Sequence, residues 1–92
     1  MNETIYKQVR QIFVEYFELD EQRLRPEATL FEELALDSMD MVDLAVEMQT
    51  RFGFTIDRQA DEEKLRTIRT IADLCQLIEE KLKANNIPVP ES

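Results

Sequence analysis

Asp37-Ser38-Met39-Asp40-Met41-Val42-Asp43-Leu44-Ala45-Val46-Glu47-Met48-Gln49-Thr50-Arg51-Phe52-Gly53 is the stretch whose reading decides the fold. Asp37 is a natural N-cap, because its carboxylate can accept from the free N–H groups of a first helical turn. Gly53 suits the left-handed residue that closes a helix. The spacing between them predicts a helix over Ser38–Phe52 whose side chains sort into three stripes. Met41, Leu44, Ala45, Met48 and Phe52 form a core stripe. Met39, Val42 and Val46 form a second, shallower apolar line, and Asp40, Asp43 and Glu47 form an acidic edge beside it.

Outward from this helix, the first segment places Ile5, Val9, Ile12, Phe13, Tyr16 and Phe17 on one face at helical spacing, with Asn2 or Thr4 as cap. The period then breaks through a long loop in which Pro26 discourages helix just before it. Leu19 and Leu24 are expected to pin this loop to the core, and Thr29 to cap a single turn, Leu30-Phe31-Glu32-Glu33-Leu34. After Gly53, Phe54-Thr55-Ile56 reads as extended, and residues 60–65 as one or two helical turns. The last helix opens at Thr70, which forms an approximate capping box with Asp73. Ile71, Leu74, Cys75, Ile78 and Leu82 repeat behind it at the spacing of one helix face. Three firm amphipathic helices, a short fourth and a long loop between the first two predict an all-α, small four-helix bundle. Residues 1–84 are expected to form a single domain and residues 85–92 a flexible C-terminal tail.

Composition removes whole chemistries. The 92 residues suffice for one domain with one modest core, and at 43% apolar they argue against disorder. No uninterrupted apolar run exceeds the length of Ile12-Phe13-Val14, so neither a transmembrane span nor a secretory signal can be built. A cytoplasmic location is expected. Without histidine there is no Ser-His or Cys-His pair and no His-containing zinc site. One cysteine excludes an internal disulfide, and one glycine excludes the phosphate-binding loops that need several. Net charge −9 repels nucleic acid and anionic membranes alike. No metal site and no catalytic residue is expected: the chain does not read as an enzyme.

Two features remain. Ser38 and the C-terminal Ser92 are the chain's only serines. Ser38 lies at a first helical position, where a serine is also simply a good local choice. Its neighbours are carboxylates and no base can activate it, so another protein must do any chemistry upon it. Between Pro26 and Thr50 stand Glu27, Glu32, Glu33, Asp37, Asp40, Asp43 and Glu47 without one Lys or Arg. A charge run is usually a solvated face. Like charges three and four apart nevertheless cost helix stability, which favours a basic partner as their explanation. Met39, Val42 and Val46 fit either intramolecular packing or a docking surface. Cys75, in register with Ile71 and Ile78, reads as a buried core thiol.

Asp37-Ser38-Met39-Asp40-Met41-Val42-Asp43-Leu44 resembles the Asp-Ser-Leu attachment motif of acyl carrier proteins. The flanks agree: Arg25-Pro26-Glu27-Ala28-Thr29-Leu30-Phe31-Glu32-Glu33-Leu34 resembles the family's loop before the motif. Phe52-Gly53-Phe54-Thr55-Ile56 resembles the close of its second helix, and Thr70-Ile71-Ala72-Asp73-Leu74 the opening of its last. The resemblance implies a carrier that holds acyl groups as thioesters on 4′-phosphopantetheine. A phosphopantetheinyl transferase would attach that arm, from coenzyme A, to Ser38, which follows Asp37. It also implies that Met39, Asp40, Val42, Asp43, Val46 and Glu47 meet partner enzymes. Those partners would be acyl-loading and acyl-processing enzymes with basic docking surfaces, in fatty-acid, polyketide or related biosynthesis.

Departures are visible too. Ala35 stands where the family often has glycine, Met39 replaces a leucine, and Gln49-Thr50-Arg51 falls where many fatty-acid carriers continue with acids. The length and the methionine start suggest a free-standing protein, expected to be a monomer. The alternative is an unmodified carrier-like interaction subunit that docks a basic partner, and Ser38 argues against it because docking needs no serine. An acidic bundle responding to cations fits the charge but leaves the Asp-Ser motif unexplained.

Overall fold

Asn2, Asp37 and Thr70 each start a helix by the same device, a short polar side chain turned back onto the N–H of the residue three positions on. Asn2 Oδ1 accepts from Ile5 at 3.0 Å, Asp37 Oδ1 from Asp40 at 2.8 Å and Thr70 Oγ1 from Asp73 at 3.2 Å. In the last two the return bond is present, the Asp37 N–H donating to the Asp40 carboxylate and the Thr70 N–H to the Asp73 carboxylate, so both capping boxes are complete. The helices they start, in a computed structural model describing residues 2–57 and 59–90, are α1 (Glu3–Phe17), α2 (Ser38–Phe52) and α4 (Ile71–Ala84). A short α3 (Glu62–Thr67) precedes the last of them. Helix α1 stops where Glu18 turns left-handed at φ 54° and the Leu19 N–H reaches back to Phe13 O at 3.2 Å. Helix α2 stops at Gly53, φ 80°, the expected glycine stop.

Among the described residues the fold is all-α, a four-helix bundle with no strand; one isolated antiparallel bridge joins Thr29 to Thr70. Ile5, Val9, Ile12 and Phe13 of α1 meet Leu44, Met48 and Phe52 of α2 and Ile71, Leu74, Cys75, Leu77, Ile78 and Leu82 of α4. Met41 and Phe17 pack only partly against this core, and Tyr16, placed by its spacing on the apolar face of the first helix, is exposed.

The long loop is not a slack connection. Asp20 caps a 3₁₀ turn, Glu21–Arg23, that the broken period did not announce. Leu24 is buried as expected and Leu19 only partly. Ala28, Leu30, Leu34 and Leu36 are buried as well. The loop's carbonyls serve the start of α4: Ala28 O accepts from the Ile71 N–H at 3.1 Å and Pro26 O from the Ala72 N–H at 2.8 Å. Those N–H groups would otherwise be unpaired at a helix start. The Thr29 turn forms as read, with Oγ1 accepting from the Glu33 N–H at 3.0 Å.

Two boundaries differ from the sequence reading. Residues 60–65 were expected to be helical, but α3 starts at Glu62, after a turn in which the Asp57 carboxylate accepts from the Gln59 and Ala60 N–H groups. Asp61 does not cap α3. Its Oδ2 accepts from the Asp57 N–H at 3.0 Å and from Lys81 Nζ at 2.8 Å, tying this turn to α4. The tail expected to be flexible from residue 85 is, as far as Pro90, laid against the bundle. Ile87 and Val89 are partly buried, the Ile87 N–H donates to Leu82 O, and the buried Gln8 amide donates to Pro90 O. Met1, Arg58, Glu91 and Ser92 lie outside the described residues, so the ends of the expected domain and tail do too. No described helix is long and apolar enough to cross a membrane.

Candidate functional site

The capping box that starts α2 also presents its first residue. Asp37 and Asp40 lock each other across the first turn, at 2.8 and 3.1 Å, and Ser38 stands exposed between them. Both carboxylates are committed to backbone N–H groups, and no described side chain offers Ser38 a base. The hydroxyl is therefore accessible and unactivated. The N–H groups of Ser38 and Met39 precede the first intrahelical bond and point out of the helix start, where an anion is favoured.

Immediately C-terminal, the two open readings of the second apolar line part. Met39 is 70% exposed, Val42 48% and Val46 52%, so none of them is buried in the bundle. Asp43 is exposed beside them, while Asp40 and Glu47 are half-buried. Among the described residues none of Asp37, Asp40, Asp43 and Glu47 has an ion-pair partner, whereas other acids do. Arg25, one residue outside the acidic segment, reaches Glu33 at 3.5 Å and Glu27 at 4.0 Å. Arg51, the only cation of α2, turns to Glu15 at 3.6 Å and Gln11 at 3.1 Å on α1. An apolar patch with an unneutralised acidic rim has the chemistry that a basic surface would complement.

Cys75 is fully buried and burial pushes its thiol up to about 12, far from a thiolate at neutral pH. No cluster of metal-ligating side chains occurs among the described residues.

Three exposed features escaped the sequence reading. Phe31 is half-exposed on the loop before Ser38. Ala35, two residues before the cap, is left-handed at φ 56°. Tyr16 and Phe17 close a groove with Asp40, Asp43, Val46 and Glu47. For Tyr16 the available signal was its hydroxyl: the stripe is already complete with Ile12, Phe13 and Phe17, and a tyrosine at its margin tolerates water.

The model of the phosphopantetheine attachment site family matches residues 7–78. Acyl carrier protein 2 of Ralstonia nicotianae is 42% identical over 85 residues, which cover 91% of this chain and all of that one. The acyl carrier protein of Thermotoga maritima is 39% identical over 87% of this chain and 94% of its own length. A crystal structure of an acyl carrier protein from Thermotoga maritima superposes with a TM-score of 0.71 at 26% identity, covering 92% of this chain and 99% of that one.

Proposed function

We propose, because this chain belongs to the acyl carrier protein family and its phosphopantetheine-attachment domain carries 4′-phosphopantetheine, that Ser38 is the residue to which the arm is joined. The chain is a carrier and not a catalyst. The observation that carries the assignment is the exposure of Ser38 at the start of α2, directly after the Asp37 cap. The residues fit the group. Ser38 is exposed, and the helix start favours the linking phosphate by about 0.3–1 kcal/mol, which Asp37 and Asp40 partly offset. When bound, the group supplies a thiol that holds acyl chains as thioesters. Ser38 contributes the attachment oxygen. With Asp37 and Asp40 engaged in capping, the base that takes its proton belongs to a phosphopantetheinyl transferase, and as the Ser38 Oγ–phosphorus bond forms the pyrophosphate linkage of coenzyme A breaks and adenosine 3′,5′-bisphosphate leaves.

Partner enzymes of acyl loading and processing, in fatty-acid, polyketide or related biosynthesis, then meet α2. Met39, Val42 and Val46 provide the apolar contact; Asp40, Asp43 and Glu47 provide the attraction to basic surface. Incubation with coenzyme A and a promiscuous transferase should add the mass of one phosphopantetheine, and Ser38→Ala should abolish the addition. The folded product should gain one thiol open to a disulfide reagent, against the silent background of the buried Cys75. No mass gain under conditions that modify an established carrier would overturn the assignment.

A further inference from the structure

Val46 is not the end of the exposed apolar line on α2, because α1 continues it. The last turn of α1 brings Tyr16 and Phe17 alongside Asp40, Asp43, Val46 and Glu47, and the six residues line one open groove of about 260 Å³. Tyr16 keeps 56% of its surface in solvent. Small-molecule pockets run from roughly 300 to 1,000 Å³ and bury most of their ligand. This smaller, open groove suits one long side chain of a docked protein.

Three features of separate origin give the groove one sign. Asp40, Asp43 and Glu47 have no ion pair among the described residues. The last turn of α1 holds no basic residue of its own, and the negative end of that helix falls where Tyr16 and Phe17 stand. The Tyr16 ring adds the negative face of its quadrupole. The α2 cation Arg51 does not answer them, because it is held by Glu15 and Gln11.

A cation is called for, and the aromatic wall decides which. Lysine offers a compact, strongly hydrated charge that satisfies carboxylates alone. The planar guanidinium of arginine can lie on a ring and fork to a carboxylate at the same time. We propose that this groove seats an arginine side chain of the partner enzyme, with Tyr16 as its stacking platform. The docking surface thus crosses from α2 onto α1, and Tyr16 selects arginine over lysine. The proposal rests on the carrier reading for the identity of the partner, but docking itself needs no modification of Ser38.

Two amphipathic peptides with one leucine-alanine frame, their basic positions all arginine or all lysine, serve as probes against the isotope-labelled full chain at low salt. The arginine peptide should bind about two- to five-fold more tightly, with resonance shifts centred on Tyr16, Val46 and Glu47. Tyr16→Phe should keep this preference and Tyr16→Leu should erase it, with unchanged melting temperatures. Should the leucine variant unfold, Glu47→Gln, which keeps the side-chain shape, should still weaken the arginine peptide. Equal affinity for the two peptides, a preference that survives Tyr16→Leu, an undiminished affinity in Glu47→Gln, or no binding by either peptide overturns the proposal. Mass addition at Ser38 is scored separately on the same protein: its absence defeats the carrier reading without touching the groove, and the converse holds.

Discussion

Among the described residues Glu18, Ala35, Gly53 and Asn86 hold a positive φ, and of these only Gly53 is the residue type that does so freely. The other three differ in what they gain. Glu18 closes α1, and asparagine is among the residues that tolerate this region. Ala35 has neither excuse: it is exposed, at φ 56°, in the loop that sets up the Asp37 cap. The left-handed region costs an L-residue about 1–2 kcal/mol, whereas glycine adds about 0.5–1 kcal/mol of unfolded-state entropy. Ala35→Gly should therefore stabilise the protein by up to about 1 kcal/mol, a rise of a few degrees in melting temperature for a domain of this size. A denaturant midpoint that stays put or falls would show that the backbone here is not strained. The position was conspicuous in the sequence as an alanine where related carriers often have glycine; its φ was not, because an alanine side chain carries no signal about backbone sign.

At the scale of elements, legibility followed the caps. Asp37 with Gly53, and Thr70 with Asp73, made the bounds of α2 and the start of α4 readable, since each is a local hydrogen bond written in adjacent residues. Where a side chain serves a distant element, the reading slipped. Asp61 looks like part of a helix start, yet its carboxylate reaches twenty residues on to Lys81, and α3 begins after it. Ala28, Leu30, Leu34 and Leu36 sit in a loop without period, so nothing local marked them as core. The groove at Tyr16 depends on how α1 and α2 pack, which neither helix's own pattern contains. Asp61 also yields a measurable consequence. The Lys81 hydrogen bond, aided by the Asp57 N–H and opposed by burial, holds its carboxyl below the ordinary 3.8. A group lowered in the folded state contributes stability that is full above its unfolded value and is lost as pH falls through the folded one. The loss therefore belongs below about pH 4. Asp61→Asn should cost about 1.5–3 kcal/mol at neutral pH, the range for hydrogen bonds to charged groups, and should flatten the fall in stability below pH 4. An unaltered acid limb would mean that Asp61 does not couple α3 to α4.

At the scale of the whole molecule, charge is segregated. The radius of gyration is 12.2 Å, about what a compact chain of this length should have, so the net charge of −9 is confined rather than relieved by expansion. Described cations are largely spent elsewhere: Arg10 on Glu21, Lys64 on Glu80, Arg66 on Glu62 and Lys81 on Asp61, while the acids of α2 stay unpaired. Salt acts on both populations, and magnitude decides between them. Most of the ion pairs are exposed and worth only about 0–1 kcal/mol each, so screening them removes little. The unpaired acids repel one another and the rest of a negative molecule measuring 32 × 29 × 20 Å, across which a Debye length of about 10 Å at 0.1 M is short. Raising salt from low ionic strength should therefore raise the melting temperature. Asp43 and Glu47 isolate the cause better than Asp40, which is bound into the capping box and would take the helix start with it. The double variant Asp43→Lys, Glu47→Lys moves the net charge toward neutrality and should melt higher than the parent at low salt. Its salt increment should shrink, because the repulsion that salt screens has been removed at its source. If this face is kept acidic for basic partners rather than for stability, the same variant should also be modified more slowly by a transferase, and that rate should lose much of its salt dependence. A parent melting temperature indifferent to salt, or an equal increment in both proteins, would show that the acids of α2 do not strain the fold.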